Sequence, residues 1–427
     1  MMNANISDEQ KIYELSLIWR EAEYNFAFWD RLEGKLDWDA AYRAALPAVL
    51  NTTNLLEYYM ELKKFVALLR DGHSWVDFPN NFTDIPRLPF YLQYIDGQYV
   101  VADVRAAVAD KIEQWSVIKA IDGIHIDDYL AQYVHPYIWH EKPESIGVSP
   151  TLAISLIGKP AEFVITHKGM TETICLHPCT SYADSPWLYN DTVLSCGEQF
   201  IDAYNSDSHS INMTNDDIAI ITINGFINDD LPKDFEGNLP LLKKAKGYIV
   251  DIRKNGGGNE LHAAAVASAF IDGDMFGERA FLPIHNGYYK AVGELRKRYE
   301  SECKVHTAKE YGGYLMKPLA VLVSSHTASA AEDFLVMLDS AGKADFVGAH
   351  SYGSTGRPLM IPLESGGKAR ICTVQCAYAD GRPFNNIGVK PHVPIEMTLD
   401  DYKNQFDAVM HKGLEHLRQG IRKAENQ

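Results

Sequence analysis

The chain has 427 residues, 46% apolar and 23% charged, with a formal net charge of −17. That composition belongs to a soluble globular protein, and the length predicts two or three domains. The acidic balance argues against a nucleic-acid partner, whose phosphates it would repel, and no apolar run is long enough to span a bilayer.

The opening MMNANISDEQKIYELS has neither a basic n-region nor an apolar core. The expected compartment is therefore the cytoplasm as the sequence stands, or the periplasm or exterior if a leader has been removed. Six cysteines are too few for a disulfide scaffold. Cys175 and Cys179 flank His177, but no second ligand pair follows, so no metal and no cofactor are expected.

Residues 1–80 read as an N-terminal helical domain. Ser7 with Gln10 forms a capping-box pair, and Ile12, Leu15, Trp19, Ala22 and Phe26 recur at helical spacing. Asp37 opens a second helix through Val49. Asn54, with Glu57 three residues on, opens a third, striped by Leu55, Tyr59, Leu62, Val66 and Leu69. Its stop is expected at Asp71-Gly72, with Gly72 left-handed, and His73 follows on the exit loop.

Residues 85–177 read as a small β-rich domain. Asp96-Gly97, Asp122-Gly123 and Lys168-Gly169 each separate two strand-like runs, the pattern of two-residue hairpins. Hairpin, Asp-Gly hairpin, helix and closing hairpin in that order resemble a degenerate PDZ domain, one without a clear Gly-rich carboxylate-binding loop. Residues 178–216, rich in Ser, Asn and Asp, read as linker.

Residues 217–427 turn to α/β patterning. DIAIITI and GYIVDIR are buried strands with the helical LPLLKKAK between them. The second strand runs into Lys254-Asn255-Gly256-Gly257-Gly258 and a helical NELHAAAVASAFI. Leu319 to Val323 is a further strand. A Ser/His/Thr cluster follows it, and a helix begins at or near Ser329. KADFVGAH is strand-like, 358–383 is rich in hairpins, and a helix covers 400–418. Cys372 and Cys376 share a face at period two and read as core packing. Residues 275–317 carry no readable pattern. The fold class is α/β and α+β multidomain: a helical bundle, a PDZ-like β-rich domain and an α/β core with a central sheet.

Two stretches carry chemistry. A hydroxyl at the start of a helix sits where unpaired N–H groups and the macrodipole favour developing negative charge, as an activated serine requires. The plain alternative is that Thr327 or Ser329 caps the helix. DIRKNGGG lacks the Lys-Ser/Thr pair of a phosphate loop and the G-x-G-x-x-G spacing. Its glycines also let backbone N–H groups approach a reacting oxygen closely.

Four blocks in order resemble the C-terminal processing, or tail-specific, serine peptidase family, which includes the tricorn core protease. They are Asp71-Gly72-His73-Ser74, the D-x-R-x-N-x-G-G block from Asp251 to Gly258, Thr327 to Glu332, and GRPFNNIGVKPH from Gly381 to His392. The resemblance implies Ser329 as nucleophile, the N–H groups of Ala330 and Gly257 as oxyanion hole, and Asp251, Arg253 and Glu332 as supports of the site. One branch of the family uses a lysine base. Here Ser354 stands at that position, and the neighbouring Arg357 does not deprotonate. The tricorn-like branch uses a histidine from the N-terminal region, which implies His73 as general base, suited to neutral pH.

That branch's glutamate in the closing block is Asn385 here, whose carbonyl can orient an imidazole without supplying charge. Asp71 is the alternative orienting carboxylate. His326 is a rival base, and His392, replacing the family's Asp, is expected to be structural. The implied activity is a serine endopeptidase acting through an acyl-enzyme on unfolded or C-terminal peptide segments, with peptide or unfolded protein as partner. The alternatives are a catalytically weak or inactive binder of peptides or apolar ligands on the same fold, and a small-ester hydrolase using the same residues.

Overall fold

Three five-residue runs, Ile218–Thr222, Gly247–Asp251 and Leu319–Val323, are buried almost throughout. Strands apolar on both faces belong in the interior of a parallel sheet. In the computed structural model, which describes residues 6–82, 85–138, 148–156, 160–189, 193–294, 297–307 and 315–426, they pair in parallel, Ile220 opposite Ile249 and Val250 opposite Val321. Asp345–Gly348 and Val393–Pro394 extend the sheet in parallel on one side. Ser210–Met213 and Ile201–Asn205 add antiparallel strands on the other, for seven in all. Residues 1–5 of the opening segment, which bears on a leader, lie outside the described residues.

Alternation divides this sheet's two faces. Ala219, Ile221, Tyr248, Val250, Val321 and Val323 share one apolar cluster with the helices Glu260–Ser268 and Ala330–Ser340. Ile218, Ile220, Ile249, Ala320 and Leu322 face the C-terminal helix Ala408–Glu425 through Val409, Met410, Leu414 and Leu417. Because the central strands are parallel, the loops after Thr222, Asp251, Val323 and Gly348 leave one edge of the sheet. Ligands of open α/β sheets bind at that edge.

The chain divides into two compact units. The first comprises residues 1–193, 283–297 and 357–373, and the second 194–282, 298–356 and 374–427. In the first unit, helices Asp8–Asn25, Trp38–Leu50 and Leu55–Ala67 start at the expected caps, where Ser7, Asp37 and Asn54 accept from the N–H groups of Gln10, Ala40 and Glu57. Ile12, expected on the apolar stripe, is exposed, and Leu15, Ile18 and Ala22 make the buried face. The third helix ends earlier than expected, and Arg70 at φ 49°, not Gly72, takes the left-handed position. The same unit holds an antiparallel sheet of Phe90–Ile95, Gln98–Val104, Val117–Ile121, Ala161–His167 and Met170–Leu176, with Ile124–His125 alongside. Asp96-Gly97, Asp122-Gly123 and Lys168-Gly169 all have positive φ, the conformation that two-residue hairpin turns demand. The helical and β-rich segments keep separate apolar cores within this one unit.

Four further readings change. Residues 201–213, read as linker, form the hairpin at the edge of the seven-stranded sheet. The hairpin of Pro358–Pro362 and Lys368–Cys372, read as part of the C-terminal core, lies in the first unit, where its second strand pairs with Trp75–Asp77. Cys372 and Cys376 are both buried but belong to different apolar clusters, because the strand breaks between them. The C-terminal helix is two helices, Leu399–Lys403 and Ala408–Glu425. Among the described residues no helix is long and apolar enough to cross a membrane.

Candidate active site

In the second unit, strand Leu319–Val323 passes through a six-residue turn into helix Ala330–Ser340. The last residue of the turn, Ser329, has φ 57° and ψ −128°. An L-residue in so sparsely populated a region costs about 1–3 kcal/mol and persists only when its surroundings hold it there. The holding bonds are visible. The Ser329 N–H donates to the Ser354 carbonyl (2.9 Å) and toward Glu332 Oε2 (3.3 Å). The Ser329 carbonyl accepts from the N–H groups of Glu332 (2.6 Å) and Asp333 (3.1 Å). Thr327 Oγ1 donates to the Ile252 carbonyl (3.0 Å), and the Ala328 N–H donates to the Asn255 carbonyl (3.1 Å). The next N–H, that of Ala330, has no acceptor among the described residues. It is an orphan donor at a helix N-terminus, a ready place for an anionic oxygen.

The glycine run lies against this turn. At φ 103°, Gly257 is so close that a Cβ there would fall 2.6 Å from Ser329 Cβ and 3.0 Å from the Ala330 nitrogen. Only glycine allows that approach. Gly256 has open space around it. The Gly257 N–H is not idle. It donates to Asn255 Oδ1 (2.9 Å), and Asn255, fully buried, donates from Nδ2 to the Ile223 carbonyl (3.1 Å). Of the two expected oxyanion donors, one is open and the other is held by a side chain.

Glu332 lies fully buried one turn into the helix. It accepts from Ser351 Oγ, from the N–H groups of Gly353 and Ser354 (both 2.8 Å) and from Ser329. Burial outweighs these four donors and pushes its carboxyl up to about 7. Asp251 and Arg253 form a second support. The guanidinium grips Asp251 (2.7 and 3.0 Å) and both oxygens of Asp407 (2.8 Å each), the residue that caps helix Ala408–Glu425. Asn385 is buried with both ends engaged by backbone. Its Oδ1 accepts from the Cys376 N–H (2.6 Å), and its Nδ2 donates to the Thr355 carbonyl (3.1 Å). His326 is exposed. His392 Nδ1 accepts from the Phe346 N–H (2.9 Å), a structural bond.

In the first unit, the loop after helix Leu55–Ala67 carries His73, half-buried beside Trp75. Its neighbour Asp71 is buried and accepts from the His73 N–H (3.2 Å) and from Ser74 Oγ (2.7 Å). Ser74 Oγ in turn accepts from the Cys372 N–H (2.9 Å), which ties the loop to the strand Lys368–Cys372. Burial holds the His73 imidazole below its ordinary pKa. Asp71 works against that shift and the Arg370 cation adds to it. Burial raises the Asp71 carboxyl in spite of His73 and Ser74.

Ser329, Ala330, Gly257 and Glu332 thus meet within the second unit, while His73 and Asp71 share one loop of the first. Sequence reasoning missed Asn255, Ser351 and Asp407. Asn255 could have been found, because it is the asparagine of the D-x-R-x-N-x-G-G block. Ser351 and Asp407 contact the site only through the fold and left no local signal. Among the described residues no three His, Cys, Asp or Glu side chains are grouped to hold a metal ion.

Residues 217–395 match the model of peptidase family S41. The chain is 27% identical over 178 residues to a carboxy-terminal-processing protease of Bartonella bacilliformis, covering 42% of this chain and 37% of that protein. It is also 27% identical over 192 residues to the carboxy-terminal processing protease CtpA of Bacillus subtilis, covering 44% of this chain. In both cases the match spans 37% of the relative's length. Among solved structures, mature CPAF superposes with a TM-score of 0.76 at 16% identity, over 98% of this chain and 99% of that one. The tricorn protease superposes at 0.51 with 14% identity, over 97% of this chain and 37% of that one. At these identities the structural likeness speaks for the fold.

Proposed function

We propose that this chain, whose residues 217–395 match the model of peptidase family S41, is a serine peptidase with Ser329 as its nucleophile and His73 as its general base. The observation that carries the proposal is the Ser329 backbone, held at φ 57° on a strand-to-helix turn beside the open Ala330 N–H. A serine on a strained strand-to-helix elbow, followed by a free N–H, is the arrangement an acyl-transfer nucleophile needs.

Ser329 Oγ would add to the carbonyl carbon of the scissile bond while its proton passes to the His73 ring. The negative oxygen would rest on the Ala330 N–H, a contact worth about 2.7–4 kcal/mol in the transition state. The Gly257 N–H would join once the oxyanion replaces Asn255 Oδ1 as its acceptor. Breakdown would give the amine its proton back from His73, and water would release the acyl group by the same steps in reverse. Asp71 lies on the His73 loop and its charge favours the protonated ring. It is therefore the better group to stabilise imidazolium, and the engaged Asn385 amide is assigned to shaping the backbone around Thr355 and Cys376. Relatives named for carboxy-terminal processing support C-terminal peptide segments as substrates.

Labelling with a fluorophosphonate probe, alongside turnover of an unstructured polypeptide, tests the assignment. Wild-type protein should be labelled on Ser329. Ser329→Ala and His73→Ala should each lower kcat by about 10⁶-fold, and the double variant should fall little further. A second reading, a peptide-binding protein without turnover, draws on the Gly257 N–H being occupied by Asn255. Unlabelled wild-type protein that binds peptide as tightly as Ser329→Ala would favour it.

A further inference from the structure

Helix Ala330–Ser340 packs against helix Glu260–Ser268 and the strand Asp274–Phe276. Beside them lies a cluster of buried charge that the mechanism above leaves unused. Lys304 Nζ donates to both oxygens of Glu260 (2.5 and 2.6 Å) and to Glu278 Oε1 (2.5 Å). Those bonds take up the three protons of the ammonium. Glu278 is only 5% exposed, and its other oxygen, Oε2, has no hydrogen-bond donor among the described residues. Asp333, 6% exposed, accepts at Oδ1 from Thr355 Oγ1 (3.0 Å) and makes no ion pair among the described residues. The Cys303 thiol, which donates to the Gly277 carbonyl (3.3 Å), is pushed above its ordinary pKa by burial and adds no charge.

Three ionised carboxylates around one ammonium would leave two uncompensated negative charges in the interior. Lys304 grips Glu260 and Glu278, so the carboxyl that gives way is Asp333. Burial first, then Glu278 and Glu260, holds it well above the ordinary carboxylate range, against the pull of Thr355 and Lys304. A protonated Asp333 carries what Glu278 Oε2 lacks, an O–H to donate. Glu278 is the charged group that bears most strongly on it.

Asp333 is tied to the serine turn at two points. Its N–H donates to the Ser329 carbonyl (3.1 Å). Its Oδ1 holds Thr355, the neighbour of Ser354, whose carbonyl takes the Ser329 N–H (2.9 Å). We infer that Asp333 is a positioning residue of the serine turn that acts as the neutral acid, its proton donated to Glu278 Oε2. When rising pH removes that proton to solvent, two carboxylates face each other without a donor between them. Their repulsion pulls on the Ser329 carbonyl and on the loop at Thr355 together, and catalysis acquires an alkaline limit that His73 does not set. The bearing on catalysis rests on the peptidase reading, whereas the protonation of Asp333 does not.

Infrared spectra of the full chain between pH 5 and 10 read the C=O stretch of a protonated carboxyl directly. The difference between wild type and Asp333→Asn at pH 6 should contain that band, and it should fade as pH rises. Glu278→Gln removes a charge and offers an amide donor, so the band should fade at lower pH. In turnover, Asp333→Asn cannot ionise and keeps both an acceptor for Thr355 and a donor for Glu278. It should retain most of the wild-type kcat at pH 7 and lose the alkaline fall. Asp333→Ala should lose about 10²-fold at pH 7, the scale of a small misplacement of reacting groups. No band assignable to Asp333, an alkaline limb shared by wild type and Asp333→Asn, or equal losses in the Asn and Ala variants would overturn the assignment. The band in a protein that cleaves nothing would uphold the neutral acid and remove the peptidase.

Discussion

Ser329 and His73, proposed above as nucleophile and base, are shaped in opposite ways. Ser329 is placed by its backbone, in a conformation that the Ser354 carbonyl and the Glu332 carboxylate hold from two sides. His73 is tuned by its surroundings. Burial and Arg370 favour the neutral ring, and Asp71 favours the charged one. A general base must be neutral to accept a proton, so activity is present above its pKa and falls as pH drops through it. With His73 as base, the acid limb of kcat/KM lies below the ordinary histidine value of about 6.5. Arg370→Met removes a cation that favours the neutral ring, so the limb should move to higher pH. Asp71→Asn removes the opposing charge and should move it to lower pH while lowering kcat. Rate profiles of the three proteins between pH 4 and 9 check this, and a limb unmoved by either substitution would remove His73 from the role. Ser329 was legible in the sequence because strand, turn and helix follow one another locally. The commitment of the Asn385 amide was not, because Cys376 and Thr355 reach it only through tertiary structure.

At the scale of elements, Glu332 binds the first turn of helix Ala330–Ser340 to the loop 351–354 through bonds to Ser351, Gly353 and Ser354. The family resemblance marks it in the sequence only as a support of the site. Nothing local indicates that its carboxylate also serves another loop. Its folded pKa, raised to about 7 from an ordinary 4.5, fixes a linkage sign. The folded state holds a proton that the unfolded state has released, so this group's contribution to stability declines as pH rises from about 4.5 to 7, by on the order of 3 kcal/mol at full shift. Glu332→Gln cannot titrate, and it turns an amide NH₂ toward backbone donors. The variant should be less stable at low pH by about 1–3 kcal/mol, and the gap should narrow as pH rises to 8. Urea unfolding of both proteins at pH 5 and pH 8 measures it, and a constant gap would show that Glu332 does not titrate in that range. The caps at Ser7, Asp37 and Asn54 and the three positive-φ hairpin turns were legible because they are encoded within four residues. The hairpin 201–213 was missed because exposed residues dominate its first strand and its pairing partner lies beyond it in the chain.

At the scale of the molecule, the two compact units interleave along the chain. Ile361, Leu363, Ala369, Ile371 and Cys372 complete the apolar core of the N-terminal helices from nearly 300 residues downstream. Among the described residues, the β-rich segment's core is drawn from residues 88–182. A fragment of residues 85–189 should therefore unfold cooperatively. A fragment of residues 1–82 should bind a hydrophobic dye and lack a cooperative thermal transition. A sharp transition in the second fragment would mean that the downstream hairpin is dispensable. The sequence by itself determined the helices, the hairpin turns, the parallel strands and the serine turn, because periodicity, caps and turn chemistry act between near neighbours. Tertiary structure alone decided which unit the hairpin 358–372 completes, that Asn255 holds the Gly257 N–H, and that Glu332 braces two loops. Those depend on burial and on hydrogen bonds between residues far apart in the chain, which leave no periodic trace.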